Sequence, residues 1–96
     1  MEKAFEFGTV VTTPRIRWKM KDDPSFMNFV KTSLGKYSKK NWGESPPEEW
    51  MANDESVVHG EGRIFATYKH YGTEDAIWII TEADHSVTTI LFPDEY

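Results

Sequence analysis

Three β-rich runs in the last third of the chain lie so close together that few sheet topologies can connect them. They cover residues 63–70, 76–82 and 87–92 and are rich in β-branched and aromatic residues. The connections between them hold only five and four residues, whereas a parallel crossover needs about a dozen or more. The sequence therefore predicts a C-terminal antiparallel β-meander.

Two helix-start signals precede the meander. Thr13 and Asp23 each place a capping side chain directly before a proline, which predicts helices over residues 14–21 and from residue 24 to about residue 36. The second helix has an apolar face with helical spacing, formed by Phe26, Phe29, Val30 and Leu34. A polar loop over residues 36–47 follows, and its one large apolar side chain, Trp42, is expected to fold back on the core.

A third helix is predicted over about residues 46–58. Ser45 and Glu48 have the spacing of a capping box, and Gly60 can adopt the left-handed conformation that ends many helices. The inward stripe of this helix is predicted to contain Trp50, Met51, Val57 and Val58.

Together these elements indicate an α+β fold. Two or three N-terminal helices are expected to pack on one face of a three- to four-stranded antiparallel sheet, and residues 5–12 form the strand that can join the meander. The length of 96 residues fits a single domain, residues 1–96, and fourteen aromatic residues supply much of its core.

The composition also bears on compartment and cofactors. The chain has no cysteine, which excludes disulfides, thiolate metal sites and a cysteine nucleophile and favours a reducing, cytoplasmic environment. No basic region precedes an N-terminal apolar run, and no long apolar stretch occurs, so neither secretion nor membrane spanning is expected. No cofactor is expected.

Charge is divided unequally along the chain, whose net charge is −5. Residues 1–42 hold nine Lys and Arg against four Asp and Glu, whereas residues 43–96 hold two against twelve. The two halves can screen each other through ion pairs, or the acidic half can present a face to a basic partner.

The C-terminal segment contains the most informative group of polar side chains. Strand alternation places Glu82 at a strand end on the same side as Trp78, and a carboxylate there needs a partner. Arg63 and His85 are the nearest candidates, and either pair would form a charge-assisted hydrogen bond. Such a pair would be a structural clasp or a binding or acid–base site. Asp84 is expected to cap the turn that follows.

Other chemistries lack the required spacing. Asp84, His85 and Ser86 are the residue types of a hydrolytic triad, but adjacent residues cannot converge on one substrate atom. The three histidines have no metal-ligand spacing, so no metal site is predicted, and residues 60–62 lack the lysine and helix of a phosphate-binding loop. Cations and aromatics between residues 15 and 42 leave single-stranded nucleic acid as a less favoured partner.

The densest motif is Trp-Ile-Ile-Thr-Glu-Ala-Asp at residues 78–84, followed by Ser86, Thr88, Thr89, Leu91, Pro93 and Tyr96. It resembles a family of small, uncharacterised bacterial proteins that are carried on plasmids and integrative elements. The resemblance implies a mobile-element origin. The chain departs from the family pattern with Tyr37 in place of a histidine, Lys40 of a glycine, Asn41 of an aspartate and His85 of an arginine, which weighs against a shared enzyme chemistry.

The favoured hypothesis is a non-catalytic, acidic protein-binding module from a mobile genetic element, which inhibits a host defence or nucleic-acid-handling protein. Its partner is expected to present a basic surface. The predicted binding residues are Trp42, Glu44, Arg63, Glu82, Asp84 and His85.

The alternative hypothesis is a small metal-independent ribonuclease toxin. It rests on fold-level similarity to enzymes of the barnase and RelE type, in which helices precede an antiparallel sheet. Glu82 or His85 would be the general base, Arg63 would stabilise the phosphorane, and Thr88 or Thr89 would position the phosphate. The net negative charge counts against a polyanionic substrate.

Overall fold

A computed structural model describes residues 3–96, which form three α-helices and four strands. In chain order these are β1 (Thr9–Thr12), α1 (Pro14–Asp22), α2 (Pro24–Ser38), α3 (Pro47–His59), β2 (Ile64–Lys69), β3 (Ala76–Thr81) and β4 (Val87–Leu91). A short 3-10 helix, Pro93–Glu95, precedes Tyr96. The predicted α+β class is confirmed.

The sheet is mixed, with the strand order β1-β4-β3-β2. β2 pairs with β3 and β3 pairs with β4 in antiparallel orientation, so the predicted meander is present. β1 pairs with β4 in parallel, from Thr9 opposite Val87 to Thr12 opposite Ile90, so the prediction of an entirely antiparallel sheet is wrong. Parallel pairing needs a long crossover, which the helices between β1 and the meander provide. The short connections constrain only the meander.

β1 is shorter than the predicted strand because Gly8 interrupts the extended backbone with a φ of +69°. Phe5 and Phe7 pack into the core instead, and the ring of Phe5 lies 5.7 Å from that of Trp42 between centroids. Gly8 also lies directly against the start of β4, where an added Cβ would be 2.1 Å from the Ser86 carbonyl oxygen. A side chain is therefore excluded where the two strands meet.

The helix ends follow the predicted signals except at the start of α3. Thr13 and Asp23 cap α1 and α2. The Thr13 side chain accepts one hydrogen bond from a backbone N–H group of the first helical turn, and the Asp23 side chain accepts two. α3 ends at Gly60, whose φ is +70°. The capping box predicted at Ser45 is wrong, because its hydroxyl instead accepts a hydrogen bond from the Thr67 backbone N–H of β2 at 3.0 Å.

The hydrophobic core combines helix side chains with alternate residues of the sheet. Its strand residues are Ile64, Ala66, Tyr68, Ile77, Ile79 and Ile90. Ala66 lies opposite Ile79, and Ile79 lies opposite Ile90, so these side chains share one face. The helices add Ile16, Phe26, Val30 and Tyr37 to the same cluster. Trp42 is 0% exposed within it, which confirms that this loop residue folds back on the core.

A chain of buried hydrogen bonds crosses this core. Thr81 Oγ1 lies 2.5 Å from the Tyr37 hydroxyl and 2.6 Å from Thr88 Oγ1. Thr88 donates to the Phe7 carbonyl oxygen at 2.6 Å. Because a carbonyl only accepts and each hydroxyl has one hydrogen, Thr81 must donate to Thr88, and Tyr37 must donate to Thr81. The chain therefore links α2, β3 and β4 to the segment before β1 with one consistent direction.

The outer edge of β2 is covered by side chains from neighbouring elements. Asn53 of α3 donates to the Phe65 carbonyl at 2.8 Å and accepts from the Phe65 N–H at 3.2 Å. The Glu44 carboxylate accepts from the Lys69 N–H at 2.6 Å. Because these backbone groups already have partners, this edge cannot pair with another strand.

Two buried tyrosines are expected to make the stability of the protein depend on pH in the alkaline range. Desolvation of the phenolate raises the pKa of Tyr37 and of Tyr68 above the ordinary value. The unfolded chain releases these protons near pH 10 while the folded chain retains them, so the free energy of unfolding should fall as the pH rises above about 10.

We expect urea unfolding to show a loss of up to about 1.4 kcal/mol per pH unit from each tyrosine. The Tyr37→Phe variant should lose less stability than the parent between about pH 9 and about pH 11. An identical pH dependence in the two proteins would contradict this prediction.

Candidate functional site

The group of polar side chains predicted around Glu82 lies at one end of the meander, but its charged groups do not converge. Arg63 precedes β2 and Glu82 follows β3, next to the pair formed by Ile64 and Thr81. Glu82 is exposed, and among residues 3–96 it forms no ion pair with Arg63 or His85. The predicted ion pair that would clasp the strand ends is therefore wrong, because Arg63 contacts a different partner residue.

That partner is aromatic. The guanidinium carbon of Arg63 lies 5.1 Å from the ring centroid of Tyr96, and Nη2 donates to the Tyr96 hydroxyl. Tyr96 packs edge-on against Trp78 with 5.4 Å between centroids, and Trp78 lies 4.6 Å from Phe65. Cation–π and edge-to-face contacts of this kind are favourable. Arg63 therefore anchors the C-terminal residue on the sheet.

Side-chain hydrogen bonds of His85 and Asp84 stabilise the β3–β4 turn. His85 Nε2 lies 2.8 Å from the Gly62 carbonyl oxygen, and since a carbonyl only accepts, Nε2 carries the proton. That nitrogen is not free to act as a base. Asp84 Oδ1 accepts from the hydroxyl and backbone N–H of Ser86 at 2.7 and 3.0 Å, and these bonds lower the pKa of Asp84. The predicted turn cap is confirmed.

Two other predicted site residues are buried. Thr88 is 0% exposed, so it cannot position a substrate phosphate. Trp42 is also 0% exposed and donates its indole N–H to Asp54 at 2.9 Å, so it cannot contact a partner. Glu44 is exposed but bonds to the edge of β2. Thr89 is half-buried on the opposite side of β4. The predicted nuclease groups are thus not assembled in this structure.

A cleft of about 710 Å³ lies between α1, the β2–β3 turn and the C-terminal segment. Trp18 lines this cleft and is 64% exposed. Two of the cations of α1 are neutralised there, because Arg15 lies 3.0 Å from Asp94 and Lys19 lies 3.5 Å from Asp75. Three further acidic residues line the cleft, Asp22, Asp23 and Glu74. The cleft is therefore unsuited to a polyanion such as RNA.

The outward side of α3 joins acidic and apolar side chains. Met51 and Val58 are 73% and 80% exposed, and their spacing of seven residues places them on the same side of the helix, about two turns apart. Glu48, Asp54 and Glu55 are exposed beside them. We call these five residues the α3 surface. The sequence pattern did not predict this surface.

The α3 surface was not predicted, because the predicted inward stripe of α3 is wrong at Met51 and Val58. The prediction is right for Trp50 and Val57, which pack against the core, and Asn53 is the further residue that the helix turns inward. Asn53 is polar, so hydrophobic periodicity assigns it to the outside, yet its amide is buried against the edge of β2. A polar side chain with backbone partners occupies the core position that the pattern assigns to Met51.

No family model, curated protein or solved structure shows a match to this chain. Within residues 3–96, no helix is long and apolar enough to cross a membrane, and no group of three or more histidine, aspartate or glutamate side chains is arranged to hold a metal ion. The fold and site together define a mixed-sheet α+β domain with one acidic, partly apolar helix surface.

Proposed function

We propose that this chain is a non-catalytic protein-binding module that contacts a basic protein through the α3 surface. The observation that carries the proposal is the exposure of Met51 and Val58 on a helix whose exposed neighbours are acidic. Apolar side chains at the centre of a contact supply affinity when they are desolvated, and a charged rim selects the partner.

The charge on α3 has little compensation. Residues 47–59 contain four carboxylates and no Lys or Arg. Among the residues described, Glu55 lies 4.0 Å from His59, and Glu48 has no ion-pair partner. Such a field raises the rate of association with a basic surface and makes binding sensitive to salt.

We also infer that the three helices cover one face of the sheet. The core supports this inference, because its helix residues pack with strand side chains that lie on one face of the sheet. On the opposite face of the sheet, Tyr96 packs against Phe65 and Trp78. In this arrangement α3 has its inward side against β2, and the α3 surface faces solvent.

The biological setting of the proposal rests on the resemblance to plasmid-borne proteins. It favours a partner in a host defence or nucleic-acid-handling system that the module would block. The lack of cysteine favours the cytoplasm as the place of action.

The test is capture of a partner from bacterial lysate on the immobilised chain. We expect a stoichiometric basic protein at low salt, and its release as the ionic strength approaches about 1 M, where the Debye length falls to about 3 Å. The Glu48→Gln/Glu55→Gln variant should bind it about tenfold more weakly or worse, because rim charges steer association.

The matched control is Asp22→Asn/Glu74→Gln, which removes two negative charges from the α1 cleft instead. It should bind almost as well as the parent. Met51→Ser/Val58→Ser should weaken binding without changing its salt dependence, because it removes only apolar contact. Equal loss in the control, or no stoichiometric partner at low salt, would contradict the proposal.

A further inference from the structure

Among residues 3–96, no element bonds to the outer edge of β1, unlike that of β2. The backbone N–H groups of Thr9 and Thr13 bond to β4, at the carbonyls of Ser86 and Ile90 at 3.1 Å each. Strand alternation then directs the N–H and C=O groups of Val10 and Thr12, which occupy the alternate positions, away from β4. Within residues 3–96 these outward groups show no hydrogen-bond partner outside the β1–β4 ladder.

A groove of about 410 Å³ adjoins this edge, lined by Thr12, Arg17, Met20, Lys21 and Met27. Its two half-buried methionines provide an adaptable apolar floor. Arg17 and Lys21 are exposed, one turn apart on α1, and neither forms an ion pair within the described residues. The groove therefore combines an apolar floor with two cations that lack acidic partners.

We propose that β1 accepts an extended acidic peptide of another protein as a fifth strand. A strand added to this edge runs about 4.8 Å from β1, so its residue opposite Thr12 can place an apolar side chain in the groove. Main-chain hydrogen bonds supply affinity in this mode of recognition, and side-chain pockets supply specificity. A carboxylate of the peptide meets Arg17 and Lys21.

A second copy of this chain fits the site less well. β1 has the sequence Thr-Val-Val-Thr, which contains no carboxylate to meet the two cations. The proposed ligand also has the opposite charge to the partner of the α3 surface, so the two surfaces can be tested separately.

The probe is a random decapeptide library displayed on phage and selected on the full-length protein. We expect the selected peptides to share β-branched or apolar residues with at least one Asp or Glu. The Val10→Pro variant removes an outward N–H without removing a bond to β4, and edge strands tolerate proline at such positions. It should bind a synthetic selected peptide about tenfold more weakly or worse, because an edge hydrogen bond is lost and the ring obstructs the added strand.

The cations are tested with a pair of variants that each remove two positive charges. Arg17→Gln/Lys21→Gln should weaken peptide binding by about tenfold, since bonds between charged groups are strong. Lys36→Gln/Lys39→Gln, at the far end of α2, should leave binding nearly unchanged. Equal loss in both variants would overturn the proposal.

Amide hydrogen exchange gives a readout that does not depend on any variant. Peptide binding should slow exchange at Val10 and Thr12 by about tenfold or more, because their outward N–H groups become bonded. Binding without this protection would overturn the proposal, as would selected peptides without carboxylates. Protection that appears without peptide as the protein concentration rises would also overturn it, in favour of a second copy of the chain.

Discussion

The Gly8→Ala variant is expected to lose most of its folding stability. Gly8 has a φ of +69°, and an added Cβ would lie 2.1 Å from the Ser86 carbonyl oxygen and 2.3 Å from its carbon. Both are backbone atoms, so relief requires β1 to move away from β4. Left-handed strain and lost pairing together should cost about 3 kcal/mol or more, a large share of the stability of a small domain. Urea unfolding followed by tryptophan fluorescence measures the loss.

Two other glycines provide matched controls. Gly60 has a φ of +70°, but an added Cβ meets no atom within 4 Å, so Gly60→Ala should cost only about 1 kcal/mol from the backbone conformation. Gly35 lies within α2 and is equally open, so Gly35→Ala should stabilise the protein by about 0.5 to 1 kcal/mol. Equal losses in Gly8→Ala and Gly60→Ala would show that the close approach at Gly8 has no energetic consequence.

The second large effect is expected for Thr88→Val. Valine has nearly the same shape as threonine, so the change leaves no cavity, but it removes the hydroxyl that donates to the Phe7 carbonyl. It also deprives the Thr81 hydroxyl of its acceptor. Each buried polar group left without a partner costs about 1 to 3 kcal/mol, so we expect a loss of about 2 to 4 kcal/mol in urea unfolding.

Thr89→Val is the control, because it makes the same chemical change at the next residue. Thr89 lies on the opposite side of β4 and is half-buried. Its replacement should change the free energy of unfolding by no more than about 0.5 kcal/mol. If the two variants prove equally stable, the buried hydrogen-bond chain does not stabilise the fold.

The features predicted well depend on short stretches of sequence. Thr13 and Asp23 cap helices because a side-chain oxygen reaches N–H groups two or three residues away. Gly60 ends α3 because it adopts a left-handed conformation. The two connections of the meander are too short for any arrangement except antiparallel neighbours. In each case the partners lie close together along the chain.

The candidate site was predicted less well because its contacts join distant residues. Nothing in the spacing of Arg63 and Glu82 shows that the arginine prefers Tyr96, which lies 33 residues away. The partner of Thr88 is the carbonyl of Phe7, 81 residues away, and this contact turns a candidate phosphate ligand into a core residue. Asn53 likewise enters the interior only because Phe65 offers it both a donor and an acceptor.

The amino-acid sequence by itself determined the α+β class, the N-caps of α1 and α2, the glycine that ends α3 and the C-terminal meander, since these depend on local conformational preference and chain connectivity. Only the tertiary structure decided the parallel pairing of β1, the burial of Thr88, and the exposure of Met51 and Val58. The physical reason is that burial and long-range hydrogen bonding depend on which elements meet. A polar side chain with a distant backbone partner can displace an apolar one from the core.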